Sequence, residues 1–239
     1  AHAHYTGSQA NLTIGNLSVL AQANHTGASA TASVEQIVAD ALDHASANVT
    51  INGHIDVTAT AAADAHAKLG LISAAALSSQ ADITITGNIN VEAHSLNGSA
   101  TATMTGIHAN AAVGLSSYAH IQLENLNVHA QVDGSSATAD AHIQAVVAEG
   151  WSGGHGTVSA DAISISAYAQ NSGNATAYLG STTLYSKPIG IVANAITSGY
   201  AHGYAHVNLT QVEVVASASS SANAQAYIVG INAYALGGT

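Results

Sequence analysis

The chain has 239 residues and a mass of 23.6 kDa, and 6% of its residues are charged against about 25% in an ordinary globular domain. Lys68 and Lys187 are its only cations and the formal charge is −11, so the basic patch that nucleic acid or an anionic membrane surface requires is missing. Apolar runs of a few residues fall far short of the roughly 18 that a membrane span needs, so no membrane insertion is expected.

The hydrophobic share of 48% excludes highly charged disorder, but much of it is alanine, which buries little area per residue. Phe and Cys are absent, and Trp151 and Pro188 are each unique. A spherical core would lack side chains to fill it, so the core is expected to be thin and long. A start without Met, at "AHAHYTG", reads as a mature, trimmed or partial sequence.

Six segments share one plan, and they begin at Asn11 ("NLTIGNLSVLAQA"), Asn48 ("NVTINGHIDVTATA"), Asp82 ("DITITGNINVEAHS"), His120 ("HIQLENLNVHAQV"), Thr157 ("TVSADAISISAYA") and His206 ("HVNLTQVEVVASA"). Successive starts lie 37, 34, 38, 37 and 49 residues apart, so residues 1–239 read as a single repeat domain. Within each segment apolar and small polar residues alternate, the signature of a strand with one face in the core. In the third, Ile83, Ile85, Ile89, Val91 and Ala93 share one face, and Thr84, Thr86, Asn90, Glu92 and His94 the other.

Each unit divides again, because "DITITGNINVEAHS" and the following "ATATMTGIHANAA" both run strand, corner, strand. Short strands with glycine corners and no helix-length apolar stripe predict an all-β fold, a parallel β-solenoid. Its rungs are read as about 18–19 residues, giving about 13 rungs and a rod of roughly 60 Å at about 4.8 Å per rung. Corner glycines are expected at Gly70, Gly106, Gly190 and Gly230, with no glycine near Gln36 or His142. An antiparallel sandwich or barrel is the alternative, but hairpin dipeptides such as Asn52-Gly53 and Asn97-Gly98 do not recur at each rung.

Two places break the period. The fifth unit is about a dozen residues longer than its neighbours, and "LGSTTLYSKP", residues 179–188, is expected to protrude and to offer Tyr185, Lys187 and Pro188 as contact residues. In "AEGWSGGHG", Trp151 is either a plug over an exposed core edge or a surface contact.

At the termini, "GINAYALGGT" matches "GIHANAAVGL" of the third unit, and Thr239 would lead almost in phase into Ala1 of another copy. No amphipathic capping helix is evident, and open solenoid ends invite association. The expected partner is therefore a second copy, stacked head to tail through the terminal rungs in an open assembly.

Chemistry is sparse. Fourteen histidines could hold metal, but His25, His54, His94 and His129 lie at different offsets from their unit starts, so no ligand ladder and no metal site is expected. Protonating all fourteen would move the formal charge from −11 to +3, which makes pH-dependent assembly a hypothesis. Acids such as Asp40 and Asp43 are spread along the rungs, and no nucleophile elbow, Walker loop, HExxH, dinucleotide fingerprint or nonapeptide calcium repeat occurs. No catalytic residue, cofactor or enzymatic activity is expected.

Threonine pairs such as Thr84/Thr86 and Thr101/Thr103 would suit an ice-binding plane, but Gln122, Glu124 and Asn208 interrupt it. Asn-X-Ser/Thr triplets at Asn11, Asn16, Asn24, Asn48, Asn97, Asn174 and Asn208 are candidate glycosylation sites.

The pattern "ITITGNINVEAHSLNGSATATMTGIHANA", echoed in "NVTINGHIDVTATA", resembles the repetitive β-helical regions of secreted prokaryotic surface proteins, the autotransporter passengers and filamentous-haemagglutinin-like adhesins. The resemblance implies a right-handed parallel β-helix and an extracellular or cell-surface location, and it transfers no functional residue. Two functions follow as expectations: a subunit of a stacked extracellular filament, or a stalk or passenger of an adhesin binding surface glycans through the 179–188 loop or the Trp151 loop.

Overall fold

A computed structural model describes residues 1–239 except 43, 78, 113–116, 172, 182–189, 197–202, 220–221 and 237–239. Among the described residues the regular structure is strand throughout. Seventeen strands follow in chain order: β1 (His2–Ala3), β2 (Gln9–Ile14), β3 (Leu17–Ala23), β4 (Ala30–Ala41), β5 (Ser46–Ile51), β6 (Ile55–Ala61), β7 (Ala65–Leu77), β8 (Gln80–Ser95), β9 (Ala100–Ala112), β10 (Tyr118–Val132), β11 (Thr138–Trp151), β12 (His155–Ala169), β13 (Asn174–Leu179), β14 (Ile191–Ile196), β15 (Tyr204–Ala218), β16 (Ala224–Ile228) and β17 (Ile231–Leu236).

Every pairing among them is parallel. The strands form two sheets: a nine-stranded one running from β1 through β4, β7, β9 and β11 to β13/β14 and β16/β17, and an eight-stranded one running from β2/β3 through β5/β6, β8, β10 and β12 to β15. The chain alternates between them, so it is a parallel β-solenoid flattened into two facing sheets. The expected β-solenoid is thus the observed fold.

The six unit starts fall in one column of the eight-stranded sheet, Asn11↔Asn48↔Asp82↔His120↔Thr157↔His206. The expected rung of 18–19 residues needs correction. Paired residues stand a whole unit apart, as in Tyr118↔His155, so one coil takes about 37 residues. The two alternating runs of each unit lie on opposite sheets at one level, not on successive levels. A solenoid of six coils is therefore only about 30 Å tall at about 4.8 Å per level, half the expected length.

Alternation puts one residue in two into the space between the sheets, and parallel stacking turns each inward position into a column. One column reads Leu17, Ile55, Ile89, Leu126, Ile163, Val212, and another Ile37, Ile72, Ile107, Val146, Ile191, Ile231. Alanine columns fill the flanks, such as Ala32, Ala67, Ala102, Ala141, Ala177, Ala226. Large residues occupy the middle of the flattened section and small ones its edges, which explains how a core can be built with so few large side chains. Interior members such as Ile55, Ile72, Ile107 and Ile163 are fully buried.

Of the glycines expected at corners, Gly70 and Gly106 lie inside β7 and β9 of the nine-stranded sheet, and Gly190 and Gly230 stand immediately before β14 and β17. Gly106, Gly190 and Gly230 stand in one column with Gln36, Leu71 and Ala145, whereas Gly70 stands one residue earlier, between Leu69 and Leu71. At Gly70 the need is close approach, because a Cβ there would lie 1.7 Å from the Glu35 carbonyl oxygen of the neighbouring coil.

The long fifth unit is also explained. Two residues separate Ile143 from Val146 in β11, while eleven separate their partners Leu179 and Ile191, and the insertion divides that level into β13 and β14. A smaller excess lies between Ile196 and Tyr204. Residues 182–188 of the 179–188 loop, with Tyr185, Lys187 and Pro188, lie outside the described residues.

Candidate functional site

The outward faces carry polar ladders. Asn48 Nδ2 donates to Asn11 Oδ1 at 2.7 Å, Asn125 Nδ2 to Asn88 Oδ1 at 2.9 Å, and Asn90 Nδ2 to Asp56 Oδ1 at 2.8 Å, each linking adjacent coils. Lys68 Nζ meets Glu35 Oε2 at 2.8 Å. These contacts repeat the backbone register in the side chains.

The histidines are dispersed among such ladders. His155 lies between Tyr118 and Tyr204, its ring 4.7 Å from the first and parallel to within 3°. His142 stacks on Tyr178 at 4.6 Å. Burial lowers the His142 pKa, raises that of Asp140 on the same face and raises that of Tyr178. His94 Nε2 contacts Asp133 Oδ2 at 2.8 Å, and the Asp133 carboxyl is held below its ordinary range, first by a hydrogen bond from Gln131 and then by His94. His2 and His4, on one face at the start of the chain, stack with ring centroids 6.4 Å apart, and the rings of Tyr204 and His206 stack at 5.9 Å; His202 lies outside the described residues. Among the described residues no three His, Asp or Glu side chains gather as a metal-binding group.

One acid sits apart. Glu149 is held below its ordinary range by His108, whose Nε2 stands 3.5 Å away, and by Asn194 Nδ2, which donates at 3.1 Å. Together with Ile107, Val147 and Val192 these residues line a groove of about 240 Å³ on the outside of the nine-stranded sheet. It holds a single carboxylate. Nothing in the sequence signals this groove, because its members come from four coils and share no motif.

Trp151 is the last residue of β11, faces outward opposite Ile196, and is 40% exposed. Its carbonyl accepts from Ser117 Oγ at 2.7 Å. It lies in the middle of the stack and not at either end. Of the candidate glycosylation sites, Asn11, Asn16, Asn24, Asn97, Asn174 and Asn208 are exposed, and Asn48 is half-buried in the asparagine ladder.

The largest departure from a closed core is at the two ends. On the first coil Leu12, Ile14, Leu17 and Val19 are only partly buried, although their column mates Val49, Ile51, Ile55 and Val57 are fully buried. On the last coil Ile228 and Ile231 are 47% and 43% exposed, whereas Leu179 and Ile191 beneath them are fully buried. Both ends present bare edges of parallel strands with apolar side chains alongside, which is a self-complementary chemistry.

Thr239, from which a second copy was expected to follow in phase, lies outside the described residues. By register, His2 falls in the column Asp40, Ala75, Asn110, Glu149, Asn194, Tyr234, and Ala3 in that of Ala41, Ala76, Ala111, Gly150, Ala195, Ala235. The first strand and the end of the last therefore hold equivalent positions in the register.

No family model matches this chain, and neither a curated protein nor a solved structure matches it. The solenoid is the part of the resemblance to secreted prokaryotic surface proteins that is seen.

Proposed function

We propose that this protein is an extracellular structural protein, a subunit that stacks head to tail into a β-solenoid filament. The observation that carries this reading is the agreement of the two ends, column by column. Stacking one copy on another sets Val207 under Leu12, Leu209 under Ile14, Val212 under Leu17, Val214 under Val19 and Ile231 under Ile37. Each repeats a contact already made within the chain, for example Ile191 against Ile231. A joint of this kind extends both hydrogen-bond ladders and covers the apolar side chains that are exposed in the single chain. Scarce Lys and Arg leave few trypsin sites, which suits an exported fibre.

Negative-stain electron microscopy of the purified chain at neutral pH is the test. The expected result is long uniform fibres with no partner added, and shortening to discrete particles in Ile231→Glu, which sets a charge on an exposed end position. Particles of about 30 Å for the unaltered chain at every concentration would reject the filament and leave the adhesin-stalk reading.

A further inference from the structure

We infer that the filament joint is made by strand exchange: Tyr234–Ala235 of one copy displaces the β1 strand, His2–Ala3, from the edge of β4 in the next. This inference rests on the head-to-tail reading and specifies its mechanism.

The topology requires the exchange. In an in-phase stack, β2/β3 of the incoming copy lies on β15, and β16/β17 must then lie on β4. By register, Ala224–Ile228 falls against Ala30–Val34 and Ile231 against Ile37. Among the described residues that stretch of β4 has no strand on its outer side, so it is open to receive them. At Asp40–Ala41 the edge is already taken by His2–Ala3, which is the position that Tyr234–Ala235 must reach. One level cannot hold both segments.

The two segments are alike in sequence. "AHA" at 1–3 and "AYA" at 233–235 both place a polar ring between alanines. The inward residue at the shared site is Ala3 or Ala235, which fill the same space against Ala41. The outward residue is His2, 3.5 Å from Asp40 Oδ2, or Tyr234, whose hydroxyl can serve the same carboxylate. What holds β1 is local and replaceable: the Ala1 amino group donates to Val38 O at 2.8 Å, Asp40 N to Ala1 O at 2.8 Å and Leu42 N to Ala3 O at 2.8 Å. Incoming β17 offers the same backbone groups in the same register and adds Ile231 and Ala233, so the exchange replaces a two-residue pairing by a longer one. In the free subunit β1 shields part of β4.

The test uses disulfides in a chain that has no cysteine of its own. In the Asp40→Cys/Tyr234→Cys variant the two thiols lie at opposite ends of one molecule, and they become neighbours only where Tyr234 of one copy has replaced His2 of the next. Adjacent strands set their Cα atoms within the range a disulfide spans. A second variant, His2→Cys/Asp40→Cys, staples β1 in place under oxidation and frees it on reduction.

The expected result is a covalent ladder of multimers from oxidised Asp40→Cys/Tyr234→Cys, and no elongation by oxidised His2→Cys/Asp40→Cys until reductant is added. Fibres that grow equally well with β1 stapled, and no covalent ladder from the first variant, would overturn the exchange while leaving head-to-tail stacking intact. Absence of fibres from the unaltered chain, both reduced variants and a chain lacking residues 1–4 would overturn both.

Discussion

Gly70 shows how one residue limits the spacing of whole coils. A Cβ there would sit 1.7 Å from Glu35 O, so Gly70→Ala forces two levels apart, and a loss of about 2 kcal/mol is expected in chemical denaturation. Gly15 has no atom within 4 Å of its would-be Cβ, and Gly15→Ala should leave stability nearly unchanged. The glycines were legible from sequence as breaks between alternating runs, but Gly70 and Gly106 lie inside strands and not at corners, and their register was hidden: they look equivalent in "GLISA" and "GIHAN", and the pairing of Leu71 with Gly106 sets them one residue apart. His142 makes a pH prediction. Its folded-state pKa lies below the ordinary 6.5, so the unfolded chain takes up the proton first and stability falls as pH drops through 6.5. Replacing it in His142→Asn should flatten the melting temperature between pH 7.5 and 5.5, even though loss of the stack on Tyr178 lowers its absolute value.

At the scale of the element, a strand here is stable because its column mates repeat above and below it. Ile89 is 1% exposed between Ile55 and Leu126, and Ile89→Ala should cost about 3 kcal/mol by the usual cavity penalty, read from urea unfolding. Leu17, in the same column but on the first coil, is only partly buried, so Leu17→Ala should cost less in the single subunit. Outward ladders follow the same logic with acids. Glu149 and Asp133 both have lowered pKa values, so the stability they contribute is present above their ordinary values of 4.5 and 3.8 and is lost as pH falls through the lower, folded-state values. In Glu149→Gln this part of the acid-induced loss should disappear, seen as a shallower fall of the unfolding midpoint below about pH 4.5. The alternation that defines each strand was plain in the sequence. The groove around Glu149 was not, because His108, Glu149 and Asn194 are brought together only by register between β9, β11 and β14.

For the whole molecule the decisive quantity is the level count. Six coils at about 4.8 Å per level predict an axial subunit repeat of about 29 Å in the filament, together with a strong meridional reflection near 4.8 Å. Strand exchange is built into that number, since β1 and the end of β17 share one level. A joint that kept both segments would need an additional level of about 4.8 Å and leave a gap in the eight-stranded sheet. Fibre diffraction or helical reconstruction reads the difference directly.

The sequence by itself determined that the chain is a repeat of alternating strands, that its unit is about 37 residues, and which residues face the core, because alternation and spacing are properties of the chain alone. Only the tertiary structure decided how the half-units are arranged. Two alternating runs separated by a corner read the same whether they stack on each other or face each other across a core, and the choice depends on which strands share hydrogen bonds. That choice halved the expected height, set His2 and Tyr234 at equivalent positions of one column, and left the apolar columns open at both ends.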